Sequence, residues 1–213
     1  MVAYGWVTLP DVRPLNTQNP GLTAFMRLRA DEARRAGKTL SIRQRWVAYD
    51  RISSSLKQAV ILSEDGGFWQ HDGIDYAELR IAIERDWAEG RPFRGASTLT
   101  QQLAKNLYLS PARTPMRKFR ELVLTRRLEA DLPKRRIFEI YLNVIEWGDG
   151  IFGVESAARA YFGVSAADLS ASQAALLAGA IINPRVYSPA RPNARLLSRQ
   201  QIILGRMNRA GSF

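Results

Sequence analysis

Two adjacent carboxylates, Glu64 and Asp65, follow the apolar run of residues 59–62 after a single serine. Carboxylates in such a position are costly to bury unless they are solvated or paired. Two glycines and the single histidine of the chain, His71, follow them. Because glycines allow a tight loop with open backbone for a ligand, we predict that Glu64 is a catalytic carboxylate at the end of a buried helix.

A second polar group lies in the segment of residues 98–107. Its members recur at i, i+3, i+4 and i+7, the spacing of one helix face: Thr98, Gln101, Gln102 and Lys105. A solvated helix face usually carries several charges of both signs, whereas this one carries amides, a hydroxyl and one lysine. Such groups suit sugar or phosphate oxygens, so we interpret the stripe as ligand-facing, with a solvated face as the alternative.

The third group is basic. Arg117 and Lys118 precede Glu121 by one helical turn, and residues 117–136 contain eight basic and three acidic side chains. This pattern is typical of an anion site, where fixed cations hold a phosphate or pyrophosphate with Glu121 paired among them. A salt-bridged surface helix explains it equally well. Glu64 and Glu121 remain as acid/base candidates, and carboxylates beside an anion-binding helix suggest glycosyl chemistry.

Other short motifs match known functional patterns, but the sequence around them lacks the partner residues or elements that those functions need. The GxGxxG pattern of residues 148–153 follows a predicted helix and no strand, so a dinucleotide-binding site is not predicted. The SxxK pattern of residues 54–57 has no KTG or SDN partner. One histidine and no cysteine make a zinc site improbable, and the basic residues form no recognisable nucleic-acid module.

Length and composition limit the number of domains and the kinds of partner that the chain can have. The 213 residues are enough for one domain or for two lobes that share a core. The net charge of +11 indicates an anionic partner: nucleic acid, an anionic membrane surface or a phosphorylated substrate. The absence of cysteine excludes disulfide and thiolate chemistry, and no apolar run approaches the roughly 20 residues that span a bilayer.

Helix start and stop signals predict a mainly α fold with little or no β structure. Residues 1–22 read as an extended entry segment and residues 91–96 as a loop. Capping boxes are predicted at Asp75 with Glu78 and at Ser170 with Gln173. The predicted helices cover residues 23–36, 53–64, 75–90, 98–107, 114–132 and 133–144, a short helix ending at 162, and residues 174–182 and 193–209.

These motifs together resemble the peptidoglycan glycosyltransferase family, the lysozyme-like enzymes that polymerise lipid II. Five motifs carry the resemblance in the family's order: residues 64–75, 95–106, 117–121, 139–163 and 176–189. The match runs from about Trp46 to the end of the chain, and its ending is similar to the monofunctional biosynthetic branch. Ala96 stands where many members have glycine, a departure that we expect to be harmless.

The resemblance implies a lysozyme-like two-lobed helical domain over residues 46–213. Residues 1–45 would be an N-terminal extended or juxtamembrane segment with the first helix. The family carries a membrane anchor before this domain, and this sequence shows none. We therefore expect that the anchor is missing from this chain, and that the catalytic domain lies on the periplasmic face of the inner membrane.

The resemblance also assigns roles. Glu64 would be the general base on the GlcNAc 4-hydroxyl of lipid II, and Glu121 would lie beside the leaving undecaprenyl pyrophosphate. The residues that we assign to substrate binding, with the first three expected mainly to shape the site, are Asp65, Phe68, His71, Thr98, Gln101, Gln102, Lys105, Asn106, Arg117 and Lys118. Burial and Asp65 would raise the pKa of Glu64 and nearby cations would lower it, and the residues leave the outcome open.

Several expectations about partners accompany this assignment. A divalent cation such as Mg²⁺ is expected at the pyrophosphate, with no organic cofactor. The expected partners are lipid II, the growing glycan chain, an anionic membrane surface and proteins of cell-wall synthesis or division, without nucleic acid. The alternatives are a muramidase that uses Glu64 as a general acid on finished glycan, an inactive scaffold, and nucleic-acid binding by charge alone.

Overall fold

A computed structural model describes residues 9–90, 97–112 and 114–211. The predicted loop of residues 91–96, which includes the motif positions Gly95 and Ala96, lies outside this part. The α-helices of the described residues are α1 (Ala24–Arg35), α2 (Ser54–Glu64), α3 (Tyr76–Ala88), α4 (Leu99–Tyr108), α5 (Pro115–Asp131), α6 (Lys134–Val144), α7 (Val154–Phe162), α8 (Ala171–Ala180) and α9 (Ala194–Ala210). The prediction of a mainly α fold is confirmed.

Local capping explains where most helices begin. The Thr98 side chain accepts a hydrogen bond from the backbone N–H of Gln101, and the Gln101 side chain accepts one from the N–H of Thr98, so α4 starts with a full capping box. Ser170 and Gln173 form the same arrangement at α8. That helix was predicted to begin at residue 174. It begins at Ala171, because the capping box starts the helix directly after Ser170.

The helices form two groups that share one core. Helix α2 packs against α8 and α9, and α4 packs against α1, α5 and α6. Buried residues of both groups belong to a single hydrophobic cluster, including Leu56 of α2, Leu103 of α4 and Leu177 of α8. Because a continuous close-packed core resists relative movement of its parts, α2 and α4 are held in a defined relation to one another.

A small three-stranded sheet was not predicted. β1 (Arg43–Gln44) pairs in parallel with β3 (Ile151–Phe152), and β3 pairs antiparallel with β2 (Glu146–Gly148). The predicted tight turn in residues 148–153 is confirmed, since Gly150 and Gly153 have φ of +70° and +77°. Strands of two or three residues are too short to show an alternating pattern.

The residues before position 46 pack on the same core as the rest of the chain. Val12 and Leu15, beside the 3₁₀ helix Arg13–Asn16, belong to the main hydrophobic cluster. Arg29 of α1 forms a 2.8 Å ion pair with the buried Glu146 of β2. The predicted division at residues 45 and 46 therefore marks the start of the motifs and not a break in packing.

Helix α3 is the most exposed of the described helices in its apolar side chains. Ile81 and Ile83 are about half exposed, and Trp87 is 88% exposed. Near the start of the same helix, Tyr76 lines an apolar groove of about 430 Å³ together with Leu122 of α5. None of the helices in the described ranges is long and apolar enough to cross a membrane.

Candidate active site

Glu64 is the last residue of α2 and borders a cleft of about 520 Å³. Its carboxylate is half-buried, and its Oε2 accepts a 3.1 Å hydrogen bond from Nε2 of Gln102 on α4. The last turn of α2 is held from α9, because Nη1 of Arg206 donates to the backbone oxygen of Leu62 at 2.8 Å. The cleft thus contains a carboxylate with a defined hydrogen-bond partner and a side open to a ligand.

The surroundings of Glu64 raise its pKa above the usual carboxyl value. Burial is the largest cause, and the negative charge of Asp65 acts in the same direction. The hydrogen bond from Gln102 and the positive charges of Arg199 and Lys105 oppose it. The question that the sequence left open is answered, since burial outweighs the cations.

Asp65 and His71 connect the loop after α2 to the start of α4. The buried Asp65 carboxylate accepts from the backbone N–H of Leu99 at 2.8 Å and lies 2.9 Å from Nε2 of His71. His71 Nδ1 accepts from the N–H of Gly73 at 3.1 Å, so the ring proton of the neutral imidazole is on Nε2 and points at Asp65. Thr98 adds a 2.7 Å hydrogen bond from its hydroxyl to the Gly73 oxygen. This network fixes the position of Glu64 relative to α4.

The same residues contain a group of potential metal ligands. One ligand atom each from Asp65, His71 and Asp75 lies within 4.8 Å of the others. Both nitrogens of His71 are engaged as described, and Oδ1 of Asp75 accepts from the backbone N–H of Glu78 to cap α3. Since these atoms already have partners, the group functions as a hydrogen-bonded support for the loop.

The predicted polar stripe on α4 divides into two parts. Gln102 and Lys105 reach toward the carboxylates, and Asn106 supports them with a 2.9 Å hydrogen bond from its side chain to the Gln102 backbone oxygen. Thr98 and Gln101 are buried and bond to each other in the capping box. This is usual for the first positions of a helix, where side chains satisfy free N–H groups. Thr98 also borders the cleft, and the contact of Thr98 and Gln101 with substrate stays a prediction.

Phe68, expected mainly to shape the site, lies outside the lining of the cleft. It is fully buried in the core, with its ring 5.6 Å from that of Phe138 and 5.0 Å from that of Trp69. The ammonium of Lys134 lies 4.5 Å from the Phe68 ring centroid. The aromatic ring therefore supports the loop that carries Asp65 and does not line the cleft, since apolar burial outweighs exposure for so large a side chain.

Glu121 lies on α5 and is 3% exposed. One of its oxygens forms an ion pair with Arg117 and the other with Lys118, at the i,i+4 and i,i+3 spacings that the sequence predicted. Nε of Arg117 is buried and has no hydrogen-bond partner among the described residues. Glu121 therefore orients two cations, and Arg117 keeps a donor for a further acceptor.

Lys105 lies within electrostatic range of both Glu64 and Glu121. Its pKa is lowered, mainly by burial and then by the positive charges of Arg117 and Lys118, while the negative charges of Glu121 and Glu64 oppose the shift. Gln102, which bonds to Glu64, precedes Lys105 by three residues on α4, about 4.5 Å along the helix axis. Glu64 and the cation cluster (Lys105, Arg117 and Lys118) are therefore neighbours along one helix face.

Three further residues were not predicted to take part in the site. Tyr141 of α6 donates a 3.0 Å hydrogen bond to Oε1 of Gln102. Arg199 of α9 contributes a positive charge near Glu64. Arg206 of the same helix makes the contact to the backbone oxygen of Leu62. Tyr141 lies within a motif that carried the resemblance, whereas the two arginines come from a helix with no sequence signal for chemistry.

Comparisons with known proteins show the family of the chain. A family model described as Transglycosylase matches residues 33–208. A biosynthetic peptidoglycan transglycosylase of Laribacter hongkongensis is 52% identical over 190 residues, which cover 89% of this chain and 83% of that protein. Proteins of the same name from Janthinobacterium sp. and Dechloromonas aromatica are 49% and 45% identical, covering 90% and 97% of this chain and 83% and 85% of theirs. The chain belongs to the transglycosylase family and is a glycosyltransferase.

Proposed function

We propose that this chain polymerises lipid II into glycan strands. In this reaction the 4-hydroxyl of the acceptor GlcNAc attacks the anomeric carbon of the growing chain's terminal MurNAc. Undecaprenyl pyrophosphate leaves and the α linkage becomes β. The observation that carries the proposal is the arrangement along one face of α4. There Gln102 bonds to Glu64, and Lys105, one turn further, experiences the charges of the ion-paired Arg117, Lys118 and Glu121 on α5.

Glu64 is the general base in this proposal. It would take the proton of the attacking hydroxyl, which requires an ionised carboxylate within hydrogen-bond reach of that oxygen. Its raised pKa makes it a stronger base than an ordinary carboxylate. The hydrogen bond from Gln102 orients Oε2, which leaves Oε1 as the oxygen for the substrate.

The cation cluster would stabilise the leaving pyrophosphate. Negative charge accumulates on that group as the bond to the sugar breaks, and cations already in place favour the transition state over the ground state. Lys105 and Lys118 supply ammonium groups, and Arg117 supplies a guanidinium whose buried Nε is still without an acceptor. Glu121 holds Arg117 and Lys118 in position through an ion pair at each of its oxygens.

The expected divalent cation finds no ready ligand set in this cluster. Both oxygens of Glu121 are engaged by Arg117 and Lys118, and the remaining side chains there are cations. Mg²⁺ prefers oxygen ligands in an octahedral arrangement. The described residues thus fit an anion bound by protein cations, and we derive no step through a metal.

A muramidase that cleaves finished glycan is the weaker alternative. A hydrolase has no leaving pyrophosphate and no need for the cation pair around Glu121. The relatives are also named as biosynthetic enzymes. These two observations favour synthesis over cleavage.

The test is incubation of the purified chain with labelled lipid II. We expect a polymer that lysozyme digests, and no release of fragments when the chain is given finished glycan strands. If the chain cleaves finished strands and leaves lipid II unchanged, the proposed function is wrong and the muramidase is favoured.

The Glu64→Gln variant is expected to lose polymerisation by a factor of about 10²–10⁴, the usual contribution of a general base. Glu84→Gln is the matched control, because Glu84 is an exposed carboxylate on α3 that pairs only weakly with Arg80 at 3.7 Å. It should keep full activity. Unchanged activity in Glu64→Gln would remove Glu64 from the role of base.

Unfolding would not explain a loss of activity in the Glu64→Gln variant. The pKa of Glu64 is raised on folding, so the folded state is penalised for ionising it at every pH above about 4.5. Glutamine removes this penalty, and the free energy of unfolding at pH 7 should therefore stay equal or increase. Urea unfolding at pH 4 and pH 7 checks this, and a decrease of more than about 1 kcal/mol at pH 7 would contradict it.

We further propose that the chain works at the outer face of the cytoplasmic membrane. The net charge of +11 would attract it to anionic lipid. The exposed apolar side chains of α3 and the groove beside Tyr76 offer a surface for the lipid tail or for the bilayer. Proteins of cell-wall synthesis or division remain expected partners on the strength of the family alone.

A further inference from the structure

A buried tyrosine lies behind the carboxylate of Glu64. Tyr141 of α6 is fully buried, and its hydroxyl donates to Oε1 of Gln102 at 3.0 Å. Nε2 of Gln102 donates in turn to Oε2 of Glu64 at 3.1 Å. Two hydrogen bonds therefore run from the core to the cleft through side chains of α6, α4 and α2.

Tyr141 sets the direction of these hydrogen bonds together with a weaker contact, in which Nε2 of Gln102 donates to the backbone oxygen of Ser97 at 3.5 Å. Burial, followed by the negative charges of Glu64 and Asp65, raises the pKa of the Tyr141 phenol well above its usual value, so the hydroxyl keeps its proton. A buried O–H that loses its acceptor costs free energy. The Gln102 amide offers one acceptor and one NH₂ group, so its oxygen faces Tyr141 and its NH₂ faces Glu64.

This orientation distinguishes between the two protonation states of Glu64. The NH₂ group donates to an ionised carboxylate. A protonated carboxyl would be served better by a reversed amide, whose oxygen could accept the new O–H. Reversal would leave the Tyr141 hydroxyl without the Gln102 acceptor, and Tyr141 therefore opposes it.

We propose that Tyr141 is a positioning residue, which acts through the amide of Gln102 to keep Glu64 ionised and oriented as the base. This inference rests on the proposed role of Glu64 in transfer. Tyr141 is fully buried and does not line the cleft, so its action on the substrate runs through Gln102 and Glu64. Replacing Tyr141 should therefore change kcat and its pH dependence and leave KM unchanged.

Other charges also act on Glu64, and they must stay constant in a test. Arg199 of α9 and Lys105 of α4 favour the ionised carboxylate, and Asp65 disfavours it. Glu78 and Arg206 border the same cleft. Replacement of Tyr141 by phenylalanine keeps the ring in the core and alters none of these charges.

The test is the Tyr141→Phe variant, measured for polymerisation across pH. We expect kcat on the acid limb to fall about tenfold, the factor that corresponds to one hydrogen bond of ordinary strength, with KM for lipid II unchanged. The acid limb should move to higher pH, so that the deficit shrinks as the pH rises. A merely structural tyrosine would lower activity equally at every pH.

Two further variants isolate the route. Tyr161→Phe is the matched control, because the Tyr161 hydroxyl donates a hydrogen bond of the same length, 3.0 Å, to the backbone oxygen of Trp147 away from Gln102. Its pH profile should coincide with that of the unmodified chain. In a Gln102→Ala background, Tyr141→Phe should cause no further change, since residues that act through one network are non-additive.

A measurement that does not depend on enzymatic activity separates this inference from the proposed function. The ¹³C resonance of the Glu64 carboxyl carbon, followed by NMR, should titrate at higher pH in Tyr141→Phe than in the unmodified chain. If the two midpoints coincide, or if Tyr161→Phe shifts as much as Tyr141→Phe, the role of Tyr141 is overturned. Failure of the unmodified chain to polymerise lipid II would overturn the proposed function and leave the titration result valid.

Discussion

At the scale of single residues, Glu64 and Lys105 have opposite shifts with one common origin. Burial disfavours the charged form of each, so it raises the pKa of the Glu64 carboxyl and lowers that of the Lys105 ammonium. Each also contributes to the charge that the other experiences. The proposed reaction needs both groups charged together, Glu64 as base and Lys105 as cation, and this is possible only between their two pKa values.

The rate of polymerisation should therefore show a bell-shaped dependence on pH. It rises as Glu64 ionises, at a pH above the usual carboxyl value, and falls as Lys105 loses its proton, at a pH below the usual lysine value. The measurement is kcat for lipid II across pH. Lys105→Arg should move the alkaline limb to higher pH, because the guanidinium keeps its charge, and it should leave the acid limb in place. An alkaline limb that does not move would show that another group controls it.

At the scale of elements, α4 is the helix around which the site is arranged. Its N-terminus is tied to the loop after α2 through Asp65 and Thr98, and its next turn presents Gln102 and Lys105. The hairpin of β2 and β3 supports the far end of α6 through Gly153, whose N–H donates to Ile145. Positive φ values in this hairpin make glycine necessary at particular positions.

Gly153 and Gly163 provide a matched pair for that requirement. Both have positive φ, +77° and +70°, but a Cβ at Gly153 would lie 2.7 Å from the backbone oxygen of Asn143, whereas a Cβ at Gly163 would meet nothing within 4 Å. Alanine at Gly163 should cost about 1–2 kcal/mol from backbone strain alone, and alanine at Gly153 clearly more. Urea unfolding measures both, and equal losses would show that the contact with Asn143 is relieved without cost.

At the scale of the whole molecule, basic charge and exposed apolar side chains occur together. The chain carries a net charge of +11, and α3 and α5 expose Trp87, Tyr76 and Met116 by 88%, 64% and 64%. Charge draws a protein to anionic lipid over a Debye length, and apolar contact holds it there independently of salt. The two contributions can therefore be separated by ionic strength.

Binding to vesicles tests this surface. The chain should sediment with vesicles rich in phosphatidylglycerol and less with phosphatidylcholine, and the difference should shrink at high salt. Trp87→Ser with Met116→Ser should weaken the residual binding at high salt by about tenfold or more, from the lost apolar area. Leu197→Ser, at an exposed apolar position on α9, is the control. Equal loss with the control would mean that α3 and α5 do not form the contact.

Sequence alone determined the features that depend on neighbouring residues. Helix starts at Thr98, Ser170 and Asn193 follow from side chains that cap free N–H groups within three residues. The pairing of Glu121 with Arg117 and Lys118 follows from helical spacing. The ordered motifs indicated the family, which the comparisons confirmed.

The tertiary structure decided what depends on distant parts of the chain. The pairing of β1 with β3 joins Arg43 to Ile151, and no local pattern announces strands of two residues. The direction of the Glu64 pKa shift depends on burial created by the packing of other helices, and the burial of Phe68 depends on Phe138 in the same way. Tyr141 became part of the site only when α6 placed its hydroxyl beside Gln102, because a hydrogen bond between side chains 39 positions apart exists only after the helices have packed.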